Sequence, residues 1–139
     1  MGPGGDSEAN SVWFLEAPGR TAFLSDLTFN GTHSYVADGH LLAWLANLSR
    51  LEALCAGMNI VFPGHGAAAA PQTLISAQRS YLLTLAGHVK ELANGRPSLS
   101  DDEKKELERR MVAHLPAGGL TFLIGMNADP IARELNGGR

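Results

Sequence analysis

The 139-residue chain contains one cysteine and few aromatic residues, and it has no long apolar run. Cys55 has no partner for an internal disulfide, and its place in a helical pattern predicts a small buried side chain. No apolar run approaches the ~20 residues that a membrane span requires. Residues 1–10 have neither the charged segment nor the apolar segment of a secretory signal peptide. We therefore expect a cytoplasmic protein that does not insert into a membrane.

The chain also lacks a strong charge of either sign. It has 11 Lys and Arg against 14 Asp and Glu, a net charge of −3. No basic stripe or Lys/Arg-rich run is present, which argues against a nucleic-acid-binding surface. With 45% hydrophobic and 18% charged residues, the composition is that of a globular protein. The length suits one domain over residues 1–139.

Three short runs predict strands. Val12–Leu15 and Thr21–Leu24 are separated by turn residues at 17–20 and form a predicted β-hairpin. Residues 27–36 show no helical period and are predicted to form a loop. Asn59–Phe62 is a continuous apolar run, which predicts a strand buried on both faces.

Helical periodicity occupies much of the remaining sequence. We predict a helix over residues 39–56 with Asp38 as its N-cap, and a long helix from Pro71 to about Gly95. Ser100 and Glu103 match a capping box before a charged helix at 101–114. An Asp129-Pro130 pair predicts the start of a terminal helix that ends near residue 136. The inner stripe of the long helix is predicted at Leu74, Ala77, Tyr81, Leu85, His88 and Leu92. These elements indicate an α+β fold.

Two residues that could carry chemistry follow strands. Asp26 comes two residues after the second predicted strand, and His65 lies in a Pro-Gly-His-Gly turn after the third. A carboxylate and an imidazole are common metal ligands, and the glycines around His65 leave its ring uncrowded. Taken singly, each is more often a structural turn residue. The two together, separated by a strand–helix–strand arrangement, are a more specific indication of a metal site than either one alone.

His33 and Tyr35 lie in the loop after Asp26 and are the candidate substrate-binding residues. His33 could bind a substrate carbonyl or replace a metal ligand, and the competing interpretation is a surface histidine of the loop. His88 falls on a predicted inner stripe and is better interpreted as a hydrogen-bonded core residue than as a ligand.

Three segments of the chain resemble the C-terminal half of metallo-β-lactamase-superfamily hydrolases: Thr21–Leu27, Asn30–Trp44 and Ile60–Gly66. The resemblance implies a partial αββα sandwich, with a short mixed sheet covered by helices on one face. It implies that Asp26 is a metal-bridging ligand and that His65 binds the second metal, both as catalytic residues. The metal would be zinc, with iron or manganese as alternatives. The substrate would be a small ester, thioester or lactone.

The chain departs from that family in its ligand set. The family's His-x-His-x-Asp-His motif is missing, and no histidine precedes His33. Asp6 or Ser7 stands near the place of a further ligand histidine, and Ser25 replaces the usual glycine before the aspartate. A catalytic zinc site uses three protein ligands and an open position. Since only two are matched, we expect the chain to be inactive as a hydrolase by itself.

Two alternatives follow from the missing half. The chain could be a non-catalytic half-domain that forms a homo-oligomer or docks onto a partner supplying the other half, because its sheet would leave one face uncovered. Alternatively, the sequence could be a piece of a longer protein, with Met1 not its native start.

Overall fold

Within residues 4–137, the part of the chain that the computed structural model describes, three strands and four α-helices form. Residues 1–3 of the predicted N-terminal loop lie outside this part, as do residues 138–139. The elements in chain order are β1 (Trp13–Leu15), β2 (Thr21–Phe23), a short 3₁₀ helix (Ser25–Leu27), α1 (Leu41–Leu54), β3 (Ile60–Phe62), α2 (Pro71–Ala93), α3 (Asp101–His114) and α4 (Phe122–Asn136). The α+β fold predicted from the sequence is confirmed.

The sheet is mixed and has the order β1-β2-β3. β1 and β2 form the predicted antiparallel hairpin, and β2 pairs in parallel with β3. Ala22 and Val61 face the helices and are fully buried. Ile60 and Phe62 point away from the helices and are exposed, so the prediction that β3 is buried on both faces is wrong. Within residues 4–137, a helical layer lies against one face of the sheet and none lies against the other.

The long helix α2 is the centre of the structure, because it packs against α1, α3, α4 and β3. Its buried stripe differs from the predicted one: Ala77 is exposed, and Gln78 is buried in its place. His88 and Leu92, also predicted on this stripe, are only partly buried, so the interpretation of His88 as a core residue is wrong. Cys55, next to the end of α1, is buried as predicted. No helix among the described residues is both long enough and apolar enough to cross a membrane.

The start of α1 is set by a residue distant in the sequence. The helix begins at Leu41, and the carboxylate of Glu134 accepts hydrogen bonds from the backbone N–H groups of Leu41 and Leu42, both at 2.9 Å. The prediction of Asp38 as the N-cap is wrong, since the Asp38 carboxylate instead accepts from the Tyr35 hydroxyl. A carboxylate beside free N–H groups also interacts favourably with the helix dipole.

The prediction of a helix start at Asp129-Pro130 is also wrong. α4 runs continuously from Phe122 and contains Pro130 in its interior. A proline there removes one backbone hydrogen bond and costs roughly 3 kcal/mol in an isolated helix. Burial of Ile124 and Ile131, on either side of the proline, offsets that cost because both side chains enter the core. By contrast, the capping box of α3 is present as predicted, with Ser100 and Glu103 bonding reciprocally.

Asp129 joins α4 to α3 and gives the fold an acid-sensitive contact. Its carboxylate accepts from the Lys104 ammonium at 2.7 Å and from the Leu99 backbone N–H at 3.0 Å. Burial by itself would raise the pKa of Asp129, but these two donors outweigh burial and the pKa is lowered. A lowered pKa means that the contact stabilises the fold above the ordinary pKa of about 4 and is lost as the pH falls through the lower value.

We expect Asp129→Asn to lower the free energy of unfolding by about 1 kcal/mol at pH 7, because the side chain is 29% exposed and its ion pair is partly screened. The difference from the unsubstituted chain should shrink as the pH approaches 2. Urea unfolding across this pH range measures it. Asp102→Asn is the control, since that side chain is 93% exposed in its pair with Lys105. An equal loss in both variants, or a loss independent of pH, would contradict the prediction.

Candidate metal centre

Asp26 and His65 are brought together by the parallel pairing of β2 and β3. Each residue follows the carboxyl end of its strand, and in a parallel pair those ends lie at one edge of the sheet. Backbone hydrogen bonds continue beyond the strands, from Gly64 N–H to the Ser25 carbonyl at 2.8 Å and from Asn30 N–H to the His65 carbonyl at 2.9 Å. The two loops are therefore fixed to each other on both sides of the pair.

The separation of the two side chains suits a shared ion better than a direct hydrogen bond. His65 Nε2 lies 3.6 Å from Asp26 Oδ1, beyond the 2.7–3.2 Å range of N–H···O hydrogen bonds. Two ligands at about 2.0–2.1 Å from one tetrahedral zinc stand about 3.4 Å apart. The His65 side chain is 49% exposed and that of Asp26 is 32% exposed. Both are open to solvent, and the donor set fits two positions of a zinc site.

The backbone around the pair is tightly constrained. Ser25 has a left-handed φ of +49°, which costs a residue with a side chain about 1–2 kcal/mol. A Cβ added at Gly64 would overlap the Asp26 carboxylate, and one at Gly66 would overlap the Asn30 carbonyl oxygen. Glycine at 64 thus leaves the space that the carboxylate occupies, and glycine at 66 permits the close approach of the two loops.

The His65 ring rests on a supported aromatic side chain. It stacks on Phe29 with ring centroids 5.0 Å apart and planes inclined by 16°. The Phe29 backbone N–H donates to the Gln78 carboxamide oxygen at 2.8 Å, and the Gln78 NH₂ donates to Ser34 Oγ at 2.9 Å. Sequence reasoning missed Gln78. The sequence feature that could have identified Gln78 is its spacing in α2, where a polar residue stands in helical register with the apolar residues of the buried stripe.

Phe29 also borders a cavity of about 320 Å³ between its loop, α2 and the end of α3. Besides residues 29–32 of the loop, the lining side chains are Ala77, Gln78, Ser80, Tyr81, His114 and Leu115. Apolar walls with a few polar groups are typical of small-molecule pockets. Phe29 borders this cavity and also stacks on His65, so the cavity adjoins the pair through that one side chain.

His33 is placed inside the protein and not on its surface. The residue is fully buried, its Nδ1 lies 3.1 Å from the Tyr81 hydroxyl, and its Nε2 has no hydrogen-bond partner among the described residues. Burial, and then the charge of His114, lower the pKa of His33 and favour the neutral ring. A role in substrate binding stays a prediction, and in this conformation the ring has no exposed surface through which to contact a substrate.

Tyr35 lies in an acidic environment, with Asp38 and Asp6 as its charged neighbours. Its hydroxyl donates to Asp38 Oδ1 at 3.0 Å, and this bond, with a smaller contribution from burial, raises the pKa of Tyr35. Burial and then the charge of Asp26 raise the pKa of Asp6. Asp6, named from the sequence as standing near the place of a further ligand, is therefore within electrostatic reach of the Asp26 carboxylate.

Among residues 4–137, no group of three or more His, Cys, Asp or Glu side chains is arranged to hold a metal ion. The described part of the chain contributes Asp26 and His65 as a pair, which leaves a three-ligand site incomplete. The chain matches no protein-family model, and no curated protein is significantly similar to it.

Proposed function

We propose that this chain provides part of a divalent-metal site of a metallo-β-lactamase-like hydrolase, with Asp26 and His65 as two of its ligands. The observation that carries the proposal is the placement of their donor atoms 3.6 Å apart, at the adjoining ends of two parallel strands. The left-handed backbone at Ser25, where the family has glycine, supports the resemblance. The remaining ligands would come from residues outside this pair.

The roles of the residues follow from their chemistry. Asp26 would contribute a carboxylate oxygen and His65 the Nε2 of a neutral imidazole, ligands that suit zinc and also iron or manganese. A bound metal would supply a water molecule acidified toward neutral pH for attack on an ester, thioester or lactone. Phe29 would hold the His65 ring in its orientation by stacking. Because two ligands bind metal weakly, we propose that the chain is inactive as a hydrolase by itself.

We expect the chain to bind zinc weakly, and Asp26→Ala or His65→Ala to weaken that binding about tenfold or more. His65→Ala should change the free energy of unfolding by no more than about 0.5 kcal/mol, since the ring is half exposed. Zinc titration by calorimetry and urea unfolding on the same samples measure both quantities. His114→Ala is the control, an exposed histidine at the end of α3.

Two outcomes would contradict the metal proposal. One is zinc binding that neither substitution alters. The other is a loss of roughly 1–3 kcal/mol of stability in His65→Ala with unchanged binding, which would make the ring a structural hydrogen-bonding group. Assay of an ester and thioester panel with added zinc tests the inactivity separately. Turnover that disappears with a chelator and in Asp26→Ala would show that the chain assembles a complete site.

A second function, that of a non-catalytic module that binds through its sheet, is favoured by a different observation. The sheet face opposite the helices is apolar and exposed. A module of this kind would need no metal, so the zinc titration separates it from the first proposal.

A further inference from the structure

The uncovered face of the sheet carries six side chains, which we call the open sheet face: Trp13, Leu15, Thr21, Phe23, Ile60 and Phe62. The register aligns them in two rows across the strands, Trp13–Phe23–Phe62 and Leu15–Thr21–Ile60. Phe23 and Phe62 stack with ring centroids 5.0 Å apart. Five of the six residues are apolar and none is charged.

The apolar side chains of this face are well exposed, and those on β1 are more exposed than those on β3. Trp13 is 71% exposed and Leu15 53%, whereas Ile60 and Phe62, on the opposite edge strand, are 37% and 40% exposed. Together the five apolar side chains leave on the order of 500 Å² open to solvent. A patch of about this size is as large as the largest apolar patch on a typical monomeric protein, and such patches are often functional.

We propose that the open sheet face binds the same face of a second copy of this chain, in a dimer whose two-fold axis runs parallel to the strands. Such an axis places β1 of one copy over β3 of the other. Trp13, the most exposed residue of the face, then meets Phe62, and Leu15 meets Ile60, so each contact joins a more exposed apolar side chain to a less exposed one. A two-fold interface must be self-complementary, and without charged residues this face brings no like charges together.

The size of the face places this dimer at the small end of specific interfaces. Two copies would bury about 1,000 Å² in total, the lower limit for a specific interface. The dimer is therefore a weak one that dissociates in the micromolar range. Its formation does not depend on metal, because none of the six residues is a candidate ligand.

Sedimentation of the chain from about 5 to about 500 μM tests the proposal, since a weak dimer changes its population over this range. The sedimentation coefficient should rise with concentration to the value of a dimer and no further. Trp13→Lys should abolish the rise, and Leu15→Lys is a second variant of the same face. Phe122→Lys on α4 is the matched control, because Phe122 is 65% exposed and lies outside the face.

A mixing experiment tests the direction of the axis. Trp13→Lys and Phe62→Glu should each be monomeric alone, and an equimolar mixture should form a dimer. In that dimer the introduced lysine of one copy faces the introduced glutamate of the other, and the second Trp13–Phe62 contact is intact. Three outcomes would overturn the proposal. The chain could stay monomeric at all concentrations, it could assemble without limit, or association could be lost in Phe122→Lys but kept in Trp13→Lys. Association of the unsubstituted chain without rescue on mixing would overturn the proposed axis.

Discussion

Gly66→Ala is expected to lower the free energy of unfolding by about 3 kcal/mol or more. Gly66 has a φ of +90°, which L side chains rarely adopt, and its new Cβ would overlap the Asn30 carbonyl oxygen. Because Asn30 N–H donates to the His65 carbonyl, relief of the overlap must part the two loops that carry Asp26 and His65. Urea unfolding measures the loss, and zinc titration of the folded variant measures the displacement of His65.

Gly31→Ala separates the two causes of that loss. Gly31 has a φ of +73°, but a Cβ built there meets no atom within 4 Å. Gly31→Ala should therefore lower the free energy of unfolding only by the cost of a left-handed backbone, about 1–2 kcal/mol. The excess in Gly66→Ala is the cost of the steric overlap. Equal losses in the two variants would mean that the loops do not depend on close approach at position 66.

Trp44→Ala is expected to lower the free energy of unfolding by about 3–5 kcal/mol. The indole is fully buried, its Nε1–H donates to the Leu27 carbonyl at 2.9 Å, and its ring packs against Phe29 with centroids 6.1 Å apart. Removal leaves a cavity and a carbonyl without its partner directly below the loop that carries Asp26. Urea unfolding followed by circular dichroism measures the loss. The emission of the remaining Trp13, which is exposed, should lie further to the red than that of the unsubstituted chain.

Leu42→Ala on the same helix is the control for Trp44→Ala. Leu42 is 55% exposed, so its truncation should change stability by no more than about 0.5 kcal/mol. Trp44→Phe adds an intermediate step, because it keeps most of the packing and removes the hydrogen bond to Leu27. A loss in Trp44→Ala no greater than in Leu42→Ala would show that the helix does not support the loop.

Local signals in the sequence were sufficient for most of the secondary structure. Pro71 and the Ser100–Glu103 box mark helix starts because each acts on backbone groups within the same turn. The hairpin is similarly local. The errors occurred where a distant residue competes with a local one. Glu134 caps α1 in place of Asp38, and core packing carries α4 through Pro130.

The candidate site was predictable only in part, for the same reason. Asp26 and His65 could be singled out because each follows a predicted strand, where α/β folds place their chemistry, whereas the parallel pairing that brings them together is seen only in the structure. The burial of His33 could not be predicted. The loop sequence has no periodic pattern of apolar residues, and without one nothing indicates which side chains face the core. The supporting residues Gln78 and Phe29 contact each other across 49 positions of sequence. No local pattern specifies such a contact.

The fold is largely helical, yet its polar contacts join distant parts of the chain. Asn127 on α4 accepts from Val36 N–H and donates to the Ser34 carbonyl, and Glu134 bonds to Leu41, all across more than 90 positions. Loop closure of this length must precede these contacts, and chains rich in such contacts fold slowly. The folding rate should therefore resemble that of mixed α/β domains more than that of helical bundles of the same size. The region around Asp26 and His65 would acquire its final form only when the last helix docks.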